Sequence, residues 1–129
     1  MKPPDEQAIH DKVLYDSAKS YLKVTTRENI KTNPNNVQDF TIDGLYPDVI
    51  VKLPTGEIIL EEIETESTVN QDSQERWRQL SNLGHEVRVI VPLSKLDLAK
   101  ELASRLTIPV LVQAYDIIDN KIHWFGKNK

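Results

Sequence analysis

The sequence contains no cysteine, no long apolar run and no internal repeat. The absence of cysteine excludes a disulfide framework. No apolar stretch approaches the ~20 residues that a membrane-spanning helix needs, and the N-terminal segment MKPPDEQAIHDKVLYD lacks the apolar core of a secretory signal. We therefore expect a cytoplasmic protein that has no membrane partner.

The length and composition are those of one ordinary globular domain. The chain has 129 residues, of which 39% are hydrophobic and 28% are charged, and this length suffices for one sizeable core but not for two. We therefore expect residues 1–129 to form a single domain. The formal net charge of −4 argues mildly against indiscriminate nucleic-acid binding, although acidic residues gathered in a site can have basic residues at its rim.

The pattern of apolar residues predicts alternating helices and strands. We assign helices to 5–23, 70–84 and 94–106, with Asp5 and Ser94 as N-terminal caps of the first and third, and strands to 40–51, 57–65, 86–92, 109–118 and 121–126. The segment LPTG favours a hairpin between the first two strands. The order, read as αβββαβαβ(β), predicts an α/β domain in which helices flank a mixed central sheet, since strand–helix–strand crossovers make neighbouring strands parallel.

One predicted strand, IILEEIETE, carries more negative charge than a strand normally tolerates. Because side chains alternate along a strand, Glu62 and Glu64 share one face and Glu61 lies on the other. If the preceding strand is the hairpin neighbour, Asp48 lies beside Glu62 and Glu64. Two such charges ~4 Å apart repel by roughly 4 kcal/mol, so a proton or a cation must offset them, and hard oxygen ligands suit Mg²⁺ or Mn²⁺.

The same residues resemble a known signature. The string PDVIV, followed fourteen positions later by EIE, resembles the PD-(D/E)XK nuclease motif, and the order αβββαβ is similar to the restriction endonuclease-like core of that superfamily. The resemblance implies that Asp48 and Glu62 are metal ligands in a nuclease site; the alternation of side chains predicts Glu64 as a third ligand. Glu64 stands where the family usually has lysine, although some type II restriction endonucleases carry Glu there and still cleave DNA.

Two polar residues of the first predicted helix are further candidates for the catalytic site. Glu6 and His10 fall on the apolar side of that helix, and the resemblance implies that an acidic residue of the first helix completes the site. Glu6 is then an additional ligand, and His10 contacts substrate or water. Alternatively, Glu6 only interacts favourably with the helix macrodipole, and His10 is a half-buried, hydrogen-bonded residue.

Several charged or polar residues have weaker claims to a function. On the second helix, Gln71, Arg76 and Arg78 could contact phosphate, although an amphipathic helix exposes such residues by default. Lys52 shares a face with Asp48 by alternation and could supply the cation that the family lysine provides elsewhere. Glu61, on the opposite face from Glu62, is expected to be an ion-pair partner.

The function that these expectations favour is hydrolysis of a phosphodiester by a Mg²⁺- or Mn²⁺-dependent nuclease. The partner is then a nucleic acid, DNA foremost, cleaved with structure selectivity or weak sequence specificity, and a homodimer would match two sites to two strands. The main alternative is a non-catalytic descendant that uses the same fold to bind nucleic acid or a protein. A third interpretation is a metal-dependent binding domain of an unrelated α/β type.

Overall fold

The computed structural model describes residues 4–35 and 37–125, and within these ranges it contains three α-helices and six strands. The helices are α1 (Pro4–Ser20), α2 (Gln71–Ser81) and α3 (Leu96–Ser104). The strands are β1 (Ile30–Thr32), β2 (Val49–Lys52), β3 (Ile58–Ile63), β4 (Glu86–Pro92), β5 (Leu111–Ile118) and β6 (Lys121–Phe125). Single 3-10 turns span Tyr21–Lys23, Arg27–Asn29 and Leu93–Lys95. The predicted α/β class, a mixed sheet flanked by helices, is confirmed.

The six strands form one sheet in the order β1-β2-β3-β4-β5-β6. The pairs β1–β2, β2–β3 and β5–β6 are antiparallel, whereas β3–β4 and β4–β5 are parallel. The parallel pairs are the ones whose connections contain α2 and α3, because a parallel neighbour needs a crossover that returns the chain to the same end of the sheet. The turn after β2 permits the antiparallel pair β2–β3.

The helices cover opposite faces of the sheet and enclose two apolar clusters. α1 packs on one face, where the cluster includes Val13, Leu14, Val49, Val51, Ile59 and Ile63. α2 and α3 pack on the other face, where the cluster includes Leu60, Trp77, Leu80, Val89, Val91 and Leu102. Ile59 and Leu60, neighbours in β3, therefore face different layers, as the alternation of side chains predicts.

The strands before α2 differ from the sequence prediction. The predicted strand at 40–51 is wrong in its first part, because β2 begins at Val49 and residues 37–48 form a loop. Within this loop Ile42 and Leu45 exchange two backbone hydrogen bonds of 2.9 Å around Asp43 (φ 48°) and Gly44 (φ 80°). Two positive φ values in succession make a tight hairpin turn, which ends the extended backbone. On its other side β2 pairs with β1, a third strand before α2 that the predicted order contains but to which the sequence analysis assigned no range.

Helix ends also differ in detail. α1 begins at Pro4, one residue before the predicted cap Asp5. α2 begins after Asn70, whose side chain accepts a hydrogen bond from the Ser73 backbone N–H in a capping box. The predicted cap Ser94 is wrong, because α3 begins at Leu96 and the Ser94 hydroxyl donates instead to Glu66. No helix within residues 4–35 and 37–125 is long and apolar enough to cross a membrane.

Candidate functional site

Asp48 and Glu62 meet where β2 begins and β3 ends. The antiparallel register pairs Val49 with Glu61, so Asp48, one residue before β2, lies across from Glu62. The Asp48 backbone N–H donates to Glu62 Oε2 at 3.0 Å, and the Ile63 backbone N–H donates to Asp48 Oδ2 at 2.7 Å. Asp48 is 8% exposed and Glu62 1% exposed. The backbone of two strands thus holds two buried carboxylates side by side.

A cationic or potentially cationic side chain contacts each of these carboxylates. His10, from α1, places Nε2 at 3.1 Å from Asp48 Oδ1 and Nδ1 at 3.0 Å from Asp11 Oδ1. An imidazole between two carboxylate oxygens can donate to both only when both of its nitrogens are protonated. Arg76, from α2, donates to Glu62 Oε1, while 58% of its side chain is exposed. The carboxylate pair therefore receives one contact from each helical layer.

Burial and like charge act together on Glu62. Burial raises the pKa of Glu62 well above its ordinary value, repulsion from Asp48 raises it further, and the Arg76 guanidinium opposes both effects. Burial also raises the pKa of Glu64, while hydrogen bonds from Trp77 and Thr68 oppose the shift. Both pKa shifts favour the neutral carboxyl form, and a bound cation would favour the ionised form instead.

Glu64 shares a face with Glu62, as predicted, but its carboxylate makes a different contact. Trp77 Nε1 donates to Glu64 Oε2 at 3.0 Å, and Glu64 is 4% exposed. Glu6 is hydrogen-bonded to Ser67. Its Oε1 accepts from the Ser67 backbone N–H at 3.0 Å and from the Ser67 hydroxyl at 2.9 Å. Of the five predicted catalytic residues, the structure joins Asp48, Glu62 and His10 by direct contacts.

Within residues 4–35 and 37–125, no group of three or more His, Asp or Glu residues is arranged to hold a metal ion. The contacts of the carboxylates explain this finding. Glu62 is turned toward Arg76 and the Asp48 backbone, whereas Glu64 is turned toward Trp77. Asp48 and Glu62 are therefore the two carboxylates that could bind a cation from a common position.

The carboxylate pair lies in the wall of an open cleft with a volume of about 270 Å³. Residues from β3, from α2 and from the loop before β2 surround it: Asn33, Val37, Gln38, Gly44, Leu45, Tyr46, Pro47, Asp48, Glu62, Arg76, Gln79 and Leu80. The cleft thus combines two buried carboxyl groups with an exposed guanidinium and side-chain amides. These are groups that can bind a metal ion and a phosphate next to each other.

Asn33 holds the cleft loop in place, and the sequence analysis missed it. Its Oδ1 accepts from the backbone N–H groups of Asp39 (3.0 Å) and Phe40 (2.9 Å), and its Nδ2 donates to the carbonyls of Phe40 (2.8 Å) and Pro47 (2.8 Å). The Asn33 backbone N–H donates to the Asp48 carbonyl at 2.9 Å. One buried side chain therefore fixes both ends of the loop beside Asp48.

The remaining candidates lie away from the cleft wall. Lys52 is exposed at the other end of β2, where it pairs with Ile58. Arg78 forms an exposed ion pair with Glu75, and Gln71 is exposed in the first turn of α2. Of the predicted phosphate contacts on α2, Arg76 is the residue that the fold brings to the carboxylates.

Glu61 faces α1, on the opposite side of the sheet from Glu62. It is fully buried, and its two carboxylate oxygens accept hydrogen bonds from Ser17 Oγ (2.6 Å) and from the Tyr21 hydroxyl. Arg88 Nη1 donates in turn to the Tyr21 hydroxyl oxygen at 3.0 Å. The predicted separation of Glu61 from Glu62 is observed, and neutral hydroxyl donors bind the Glu61 carboxylate.

No protein-family model matches the chain, and no curated protein matches it. Among solved structures the chain is similar to the structure of Pyrococcus furiosus SfsA in complex with Ca²⁺, with a TM-score of 0.44 and 14% sequence identity. The similarity covers 90% of this chain and 59% of the SfsA chain.

Proposed function

We propose that this domain hydrolyses phosphodiester bonds in nucleic acid, DNA foremost, with a divalent cation held by Asp48 and Glu62. The observation that supports the proposal is the buried carboxylate pair in the wall of an open cleft, beside the exposed guanidinium of Arg76. Buried carboxylates that lie close together and have a shifted pKa are typical of functional sites rather than of a stable core.

The donor set fits Mg²⁺ or Mn²⁺. Mg²⁺ is usually bound by one or two carboxylates, with water and substrate phosphate completing its coordination. Three of the four oxygens of Asp48 and Glu62 accept a hydrogen bond, and the fourth, Asp48 Oδ1, lies 3.1 Å from His10 Nε2. A carboxylate oxygen has a further lone pair for a metal. A bound ion would polarise the scissile phosphate and lower the pKa of a coordinated water.

The side chains around the pair have distinct tasks in this proposal. His10 holds the Asp48 carboxylate in position through Oδ1, because its ring is itself fixed between Asp48 and Asp11. Arg76 is anchored on α2 and mostly exposed, so its guanidinium can turn from Glu62 to a phosphate oxygen. Arg76 would then supply the positive charge that, in the PD-(D/E)XK pattern, comes from a lysine at the place that Glu64 occupies here. The assignment of the domain to that superfamily is part of this proposal.

The proposal is tested by incubating the purified protein with plasmid, branched and flapped DNA in Mn²⁺, in Mg²⁺ and in EDTA. We expect nicking or cleavage with either metal and none in EDTA. Asp48→Asn and Glu62→Gln should abolish it, since each removes a ligand charge at nearly constant volume. Glu61→Gln, one position along the same strand and on the other face, is the matched control and should retain activity. Absent or metal-independent cleavage of all three substrates contradicts the proposal.

A second function, binding of nucleic acid or a protein without catalysis, is favoured by one observation. Arg76 is ion-paired with Glu62, and His10 Nε2 lies 3.1 Å from Asp48 Oδ1, so side chains of the protein itself already contact both carboxylates. In that case no divalent-ion-dependent cleavage appears. Any nucleic-acid affinity should then still weaken as salt rises, because phosphate contacts release counterions.

A further inference from the structure

The loop at 37–47 exposes two aromatic side chains next to the cleft. Tyr46 lines the cleft two residues before Asp48 and is 40% exposed. Phe40 is 39% exposed, and its backbone N–H and carbonyl are both bonded to Asn33, which also lines the cleft. Large aromatic side chains bury much area when they pack in a core. Here two of them lie exposed on one loop at the cleft, where a flat ligand could pack against them.

The backbone that carries these rings is held in one conformation. Asn33 bonds both ends of the loop, and the tight turn at Asp43 and Gly44 closes its tip with two hydrogen bonds of 2.9 Å between Ile42 and Leu45. A ring on a fixed backbone loses little conformational freedom when a flat ligand stacks on it. The loop therefore offers a preorganised stacking surface.

The charges around the loop distinguish between possible nucleic-acid ligands. Lys31 Nζ lies 5.3 Å from the centroid of the Phe40 ring, and Arg76 is exposed in the cleft. These cations can contact phosphates that flank a stacked base. Asp39 and Asp43 are also exposed on the loop and would repel a phosphate backbone brought against its tip. A duplex presents its phosphates outward, whereas an unpaired strand can turn its bases toward the protein.

We infer that the loop selects unpaired nucleic acid, with bases stacking on Tyr46 and Phe40 and the adjoining phosphate directed to Arg76. This inference rests on the proposed function, because it names the substrate class of the same cleft. The cleft volume of about 270 Å³ lies just below the ~300–1,000 Å³ typical of small-molecule sites, which suits one extruded nucleotide better than a double helix.

The test is fluorescence anisotropy with a labelled oligothymidine strand and with a duplex of the same length, both in EDTA so that no hydrolysis occurs. Wild type should bind the single strand more tightly than the duplex. Tyr46→Leu and Phe40→Leu keep apolar volume but remove the ring, and each should weaken single-strand binding about fivefold or more, since stacking is worth about 1–3 kcal/mol per base. Tyr46→Phe should retain affinity, because stacking needs the ring and not the hydroxyl.

The matched control is Tyr15→Leu, because Tyr15 lies on α1, is 53% exposed and does not line the cleft. Equal or tighter duplex binding, or a loss for Tyr46→Leu no larger than for Tyr15→Leu, overturns the inference. The cleavage assay separates this outcome from failure of the proposed function. Tyr46-dependent single-strand binding without metal-dependent cleavage retains the inference and removes the hydrolase. Metal-dependent cleavage that prefers duplex and survives Tyr46→Leu retains the hydrolase and removes the inference.

Discussion

Replacing Asn33 by alanine should destabilise the domain far more than an average surface substitution. The side chain makes four hydrogen bonds of 2.8 to 3.0 Å to backbone groups of Asp39, Phe40 and Pro47 and is 3% exposed. At about 1 kcal/mol net for each bond, the upper limit is ~4 kcal/mol. Water can reach the groups at Asp39 and Phe40 once the loop loosens, so we expect a loss of about 2–4 kcal/mol.

For a domain of this size, each kcal/mol lowers the melting temperature by about 4 °C, so Asn33→Ala should melt about 8–16 °C below wild type in far-ultraviolet circular dichroism. Limited proteolysis should also cut within 37–47 at temperatures where the rest of the chain is folded. Asn29→Ala is the control, because its amide makes two hydrogen bonds of 3.2 Å to threonine hydroxyls. Equal melting temperatures for the two variants would refute the anchoring role of Asn33.

Three further predictions concern the carboxylates on the two faces of β3. Mg²⁺ or Mn²⁺ at ~100 times its dissociation constant should stabilise wild type by roughly 2.7 kcal/mol, seen as a rise of several degrees in the melting temperature. Asp48→Asn and Glu62→Gln should abolish this rise, whereas Glu61→Gln should keep it. The reverse pattern would contradict the proposed metal site. Burial and repulsion from Asp48 raise the pKa of Glu62 in the folded state above the ordinary glutamate pKa of 4.5. Ionisation of Glu62 therefore destabilises the folded state as the pH rises above 4.5. Urea titrations at several pH values should therefore show Glu62→Gln gaining stability over wild type as pH rises from about 4.5, and a constant difference would count against the shift. Tyr21→Phe removes a hydroxyl that donates to the buried carboxylate of Glu61 and should lower stability by about 1–3 kcal/mol, whereas Tyr15→Phe, at an exposed position, should melt with wild type.

The alternation of side chains made part of the site predictable. A period of two assigns Glu62 and Glu61 to opposite faces, and a hairpin brings Asp48 across from Glu62; both follow from strand geometry without knowledge of the packing. The same reasoning could not predict the Trp77 contact of Glu64. That contact depends on where the crossover sets α2 over the sheet, and local periodicity contains no information about this placement.

The loop beside the cleft shows what the sequence analysis missed and why. The Asp43–Gly44 pair is a recognisable hairpin-turn signal, and it could have corrected the strand predicted to begin at Phe40. Asn33 gives no such signal. Its partners lie six to fourteen residues ahead in the chain, and an asparagine in the segment TNPNN is typical of any turn.

Glu6 illustrates a limit of helical periodicity. It lies one turn before His10 on the same side of α1, so the sequence treats the two residues alike. In the structure His10 reaches Asp48, whereas Glu6 lies beyond the end of β3 and binds Ser67. A helix face identifies the direction of a side chain but not the position at which the strand beneath it ends.

The two buried acids at positions 61 and 62 also restrict how β3 can pair. Shifting the strand by one residue would turn Glu62 toward α1 and Glu61 toward α2, and would bring Leu60 and Ile63 to the opposite apolar clusters. Leucine and isoleucine exchange places in a core at small cost, so the apolar residues alone would discriminate poorly against the slip. The shift would however leave both carboxylates without the hydroxyl and guanidinium donors that now bind them. The buried carboxylates of Glu61 and Glu62 therefore stabilise one register of β3 over the register shifted by one residue.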